Sequence, residues 1–185
     1  MDEHRLVEYE TLRATIRERG TVRVVVVCLG VSIWAALVLV MAAVIQLPAL
    51  ALVPLLVLAA TFEVIHALHV GAERVGRYLQ VFHDDRWEAT AMAYGHSFPG
   101  AGPDALFSVV FALATLVNLL PMVSVGPTPA EWIPLGLAHL LFILRIGRAR
   151  RQSAGQRARD LARFRMLAGP QAPPSDSTAG RAERD

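Results

Sequence analysis

The stretch TFEVIHALHVGAERVGRYLQVF, residues 61–82, repeats polar side chains at helical spacing. On a helical wheel Glu63, His66, His69, Glu73, Arg77 and Gln80 fall within about a third of the circumference. Val64, Ile65, Leu68, Ala72, Val75, Leu79 and Phe82 lie opposite, and only Phe62, Val70 and Val81 interrupt the polar face. Carboxylates and imidazoles in such a row can relay protons or line a cation path. Glu63-x-x-His66 also has the spacing that di-iron helical bundles use, because side chains three apart project together. His69 and Glu73, four apart, can extend such a ligand set, but no other apolar segment supplies carboxylates at matching depth. A haem held between His66 or His69 and His139 needs no carboxylate, since imidazole is a common axial ligand. The plainest reading is structural: the stripe faces the cytoplasm or a neighbouring helix, with Glu63 protonated or bonded to His66.

Depth links Glu63 to His139. Glu63 lies eight residues, about 12 Å, before Gly71. His139 lies six residues, about 9 Å, before Arg145. The sequence therefore predicts that Glu63 and His139 share one level and meet, with Asn118 further toward the opposite side. Elsewhere the chemistry is thin. His83, Asp84, Asp85, Glu88 and His96 lie near Trp87 and Tyr94 without a zinc-ligand spacing, and read as a solvated loop. No serine has a nucleophile context, and Cys28 sits among apolar residues where a thiol is inert. The glycines of YGHSFPGAGP, residues 94–103, follow no strand and form no nucleotide-binding loop.

These side chains hang on an apolar scaffold. The chain has 185 residues, 54% hydrophobic and 18% charged, against about a quarter charged in ordinary soluble domains. With its single cysteine it is neither a disulfide scaffold nor, with this apolar content, a disordered chain. The sequence predicts an all-α integral membrane protein with four transmembrane helices and amphipathic cytoplasmic helical extensions. The spans fall at about 24–47, 49–71, 105–125 and 131–146, each judged against the roughly 20 apolar residues that a bilayer requires. The first follows too long and acidic a segment to be a signal peptide. Pro48 marks a tight turn, and Pro54 predicts a kink because it leaves the Leu50 carbonyl without its donor. Asn118 and Pro121 fall near the end of the third span. The fourth is the weakest, since residues 132–146 make only about 22 Å of helix.

Outside the spans, residues 1–23 predict an amphipathic helix with Leu6, Tyr9, Leu12 and Ile16 on one face. Residues 72–104 form a linker, entered by the continuing second helix. Residues 147–169 form a basic helix that stops at Gly169-Pro170, and 170–185 read as a disordered tail.

All 18 basic residues are arginine. Five precede the first span, three lie between the second and third, and ten run from Arg145, at the end of the fourth, onward. The other two connections carry none, and Glu131 is the only charge there. Arginine-rich short loops stay cytoplasmic, so the expected location is the inner, or plasma, membrane with both termini inside. The formal net charge of +2 conceals this sidedness. Arg145, Arg148, Arg150 and Arg151, at and just past the end of the fourth span, are placed to contact anionic headgroups of the lipid bilayer. Ala67/Gly71, Ala72/Gly76 and Ser108/Ala112 allow close helix approach. Self-association or packing with another membrane protein is therefore expected, and nucleic acid is not. The reading that follows is a non-enzymatic structural or accessory subunit. The alternatives are a proton or cation transport unit using Glu63, His66 and His139, and a haem- or metal-binding electron-transfer subunit. No cofactor follows from the sequence itself.

Overall fold

In a computed structural model, described over residues 3–44, 47–98 and 103–169, the chain is helical and no strand occurs among the described residues. The helices are α1 (Glu3–Val44), α2 (Leu52–Phe82), α3 (Arg86–Ser97), α4 (Pro103–Val117), α5 (Leu120–Val125) and α6 (Pro129–Ala168), with a 3-10 turn at Pro48–Ala51 before α2. Four stretches are long and apolar enough to cross a membrane: Glu3–Val44, Pro48–Phe82, Ser108–Val125 and Pro129–Ala168.

Three of the helices are much longer than a bilayer needs. The 42 residues of α1 extend about 63 Å, twice the hydrocarbon thickness. The sequence divides this length into an amphipathic segment and a span; the structure carries both on one unbroken rod. Gly20 does not interrupt it, since a single glycine costs a helix only about 1 kcal/mol. The weak fourth span and the basic segment after it likewise form one 40-residue helix, α6. It starts at a cap in which the Glu131 carboxylate accepts 2.8 Å bonds from the Thr128 amide and hydroxyl. It ends where Gly169 takes φ 73°, a conformation glycine adopts without strain.

Prolines act differently from the sequence expectation. Pro54 stands in the first turn of α2, just after the 3-10 turn, where few backbone donors are required, and not in the helix interior. The break comes instead in the third span. Pro121 has no amide to give the Val117 carbonyl, and the helix opens at Asn118–Leu119 between α4 and α5. The linker also differs from a solvated loop. Asp85 caps α3, its Oδ1 accepting from the amides of Trp87 and Glu88 at 3.0 and 3.3 Å. Residues 99–102 and the 170–185 tail lie outside the described residues.

The apolar half of the bundle packs around Phe62. Its ring meets Phe111 and Phe142 edge-on at 5.4 and 5.9 Å, joining α2 to α4 and α6. Leu55, Leu58, Ile65, Ala114, Ile146 and Ala149 complete this core. A smaller cluster at the far end joins Met41, Ala51, Met122 and Leu135. The helices α1 and α2 cross closely at Gly30, where any Cβ would collide with the Thr61 side chain. Arg23 lies opposite His69 and Glu8 opposite Tyr78, so α1 and α2 run antiparallel. Glu63 meets Arg145 and Glu73 meets Arg157, so α2 and α6 run parallel.

Candidate functional site: a charged seam and a buried polar knot

The polar stripe on α2 is real, and four of its six members, Glu63, His69, Glu73 and Arg77, reach another helix. Starting from the apolar core, Glu63 accepts from Arg145 on α6 at 2.7 Å. That guanidinium also lies over the Phe62 ring, 5.9 Å from its centroid. His66 does not bond Glu63; its ring stacks on Phe62 at 6.1 Å. His69 is 3.1 Å from Arg23 on α1 and 3.7 Å from Glu73. Glu73 accepts from Arg157 on α6 at 2.7 Å, and Arg74 donates to Asp160 at 3.4 Å.

Farther along, α1, α2 and α3 converge. Arg13 donates to Glu88 at 3.1 Å and to Asp85, which is buried and also accepts from the Tyr9 hydroxyl. Arg77 is buried with Gln80 at 3.3 Å and Glu88 at 4.0 Å. Gly76 lets this happen, because a Cβ there would strike the Glu88 carboxylate. Glu8 accepts from Tyr78 at 2.6 Å and lies 3.6 Å from His83. Tyr78, Phe82 and Phe164 then close the end, with Tyr78 4.6 Å from Phe82 and 5.7 Å from Phe164. Between α2 and α6, beside Glu73, Arg77 and Ser153, a space of about 10 Å³ is left, enough for one water.

The expected meeting of Glu63 with His139 does not occur. The physical reason is the register of α2 and α6. Glu63 lies level with Arg145 itself, and His139 is six residues, about 9 Å, nearer the start of α6. His139 is buried in a knot of its own. Its Nδ1 is 2.7 Å from the Leu135 carbonyl and its Nε2 is 3.0 Å from Asn118 Nδ2. Since a carbonyl only accepts and an amide nitrogen only donates, His139 carries its proton on Nδ1 and is neutral. Asn118 Nδ2 also donates to the Ala51 carbonyl at 2.9 Å, and its Oδ1 accepts from the Trp34 indole at 3.1 Å. One amide at the α4–α5 break thus ties α1, the turn before α2 and α6 together.

This arrangement limits the chemistry. Both nitrogens of His139 are engaged, which leaves no lone pair for a haem iron. Among the described residues no group of three His, Cys, Asp or Glu side chains is placed to hold a metal ion. Of the arginines assigned to headgroups, Arg145 turns to Glu63, while Arg148, Arg150 and Arg151 are exposed. The sequence reading set Asn118 aside by depth and missed Trp34. It also missed the partners Arg23, Arg157 and Asp160, which lie outside the stripe's own helix. One signal was available: Asp85 and Glu88, three apart, are the spacing of a helix start. Comparison with known proteins adds nothing to this geometry, for no family model matches the chain and no curated protein or solved structure is significantly similar to it.

Proposed function

We propose that the chain is a four-span inner-membrane protein with both termini on the cytoplasmic side, serving as a non-enzymatic structural or accessory subunit. The spans are the four long apolar stretches, and the arginine distribution supplies the orientation. In that frame the polar halves of α1, α2 and α6 form a three-helix stalk about 20 Å or more in length beneath the bilayer. Arg148, Arg150 and Arg151 lie where the bundle leaves the hydrocarbon and meet anionic headgroups.

The observation that carries this reading is the fate of the polar stripe. His69 and Glu73 are joined to Arg23 and Arg157 within the stalk, and Glu63 to Arg145 above it, so the groups that would serve a relay instead fasten one helix to the next. A stalk with a fixed shape is suited to holding other chains in register. Chemical crosslinking of the full-length protein in native membranes tests the proposal. A reproducible adduct, with itself or with one membrane protein, is expected. A chain that yields only monomer at every crosslinker length overturns it.

A further inference from the structure

Resting on that reading, we propose that the α2–α6 face carrying Glu63 and Arg145 is the contact face of a parallel homodimer. The pair is not enclosed by the bundle. The Glu63 side chain is 48% exposed and that of Arg145 is 35% exposed. On its deeper side the surface is apolar: Leu56 and Ala60 on α2 precede Glu63, and Leu137 and Leu141 on α6 precede Arg145, all of them exposed. The pair lies six residues, about 9 Å, deeper along α2 than His69, which already meets Arg23 at the end of the apolar run of α1. At that depth a half-exposed ion pair faces hydrocarbon unless protein covers it, and charged groups within spans characteristically turn toward protein.

The chemistry of the patch selects its occupant. It displays one negative and one positive group side by side at one level, on two helices that run in parallel. A two-fold axis along the membrane normal, passing between them, sets Glu63 of each chain opposite Arg145 of the other. The patch is therefore complementary to itself, as an isologous interface requires. The small side chain of Ala60 lets α2 of one chain approach α6 of the other closely. A single-sign patch would have demanded a different partner; this one does not.

Two differently tagged full-length chains, both with Cys28→Ser, test the geometry in native membranes. One carries Ala60→Cys and the other Leu141→Cys, positions that the axis brings face to face. On oxidation with copper–phenanthroline a disulfide joining the two tagged chains is expected, and none when Leu141→Cys is replaced by Leu113→Cys on the exposed side of α4. Adding Glu63→Arg to both chains sets like charges opposite one another and should lower the adduct about tenfold. Adding Arg145→Glu as well should restore it. No adduct between the tags, or one indifferent to Glu63→Arg, overturns the homodimer. A disulfide from Ala60→Cys to a different membrane protein also overturns it, while leaving the accessory-subunit reading intact.

Discussion

Asn118 Nδ2 lies 3.0 Å from His139 Nε2, and the same amide reaches Trp34 and the Ala51 carbonyl. Four polar groups from four parts of the chain satisfy one another in a space that is otherwise apolar. Between helices this apolar, hydrogen bonds and close packing single out one arrangement among many that would bury apolar surface equally well. The break at Asn118–Leu119 is what turns the amide inward, and Pro121 causes the break. A feature that weakens one helix thereby locates three others.

This knot should behave as a unit. Asn118→Leu strands the His139 imidazole and the Trp34 indole, and each buried polar group left alone costs about 1–3 kcal/mol. His139→Leu alone strands the Asn118 amide on one side only. The double variant removes both partners of the central bond and should be less destabilised than the sum of the singles by about 1 kcal/mol. Thermal unfolding of the full chain in detergent, followed by helical circular dichroism, measures the cycle. Additive effects would show that the two side chains are not coupled.

The apolar runs were legible because their signal is compositional and local: length, absence of charge and proline at the ends. The continuous amphipathic course of α2 was legible for the same reason. The partner of Glu63 was not, because it depends on the register of two parallel helices and lies 82 residues away in the sequence. Counting depth from Gly71 on one helix and from Arg145 on the other set His139 opposite Glu63. The register of the folded bundle sets Arg145 there, a residue whose position at a helix end suggested headgroups instead. Likewise the polar stripe showed its composition in the sequence, but its partners Arg23, Arg157 and Asp160 lie on helices whose facing sides only packing defines. The helical course of α3 was masked by the glycines and prolines that follow it, although its Asp85 cap was in view.

The crossing of α1 over α2 depends on one missing side chain. At Gly30 any Cβ meets Thr61 Oγ1, Cγ2 and Cβ, and neither backbone can move away without opening the core around Phe62. Gly30→Ala should therefore destabilise the bundle by about 1–3 kcal/mol, despite the better helix propensity of alanine. Thr61→Ala in the same chain removes two of the three colliding atoms and should recover part of the loss. Unfolding midpoints of the three variants in one detergent check this order. A Gly30→Ala protein as stable as the parent would mean that the helices are farther apart.

The stalk should respond to charge order rather than to charge itself. Glu73 accepts from Arg157 at 2.7 Å with both side chains partly exposed, so the pair is screened and worth at most about 1 kcal/mol. Reversing one member is more costly than deleting it. Glu73→Arg places a cation beside Arg157 and close to the neighbouring Arg74, whose own carboxylate is Asp160 on the next turn of α6. Backbone amides of α6 beyond Ala149 should then exchange with deuterium severalfold faster, since local opening follows the lost pairing. Arg157→Glu combined with Glu73→Arg rebuilds an ion pair in the opposite sense and should bring the exchange back toward the parent rate. Raising the salt concentration should shrink the difference between the variants, because partly exposed pairs are screened. Protection on α6 that stays unchanged in Glu73→Arg would mean that the stalk is held by the Tyr78–Phe82–Phe164 ring cluster alone and not by its charged seam.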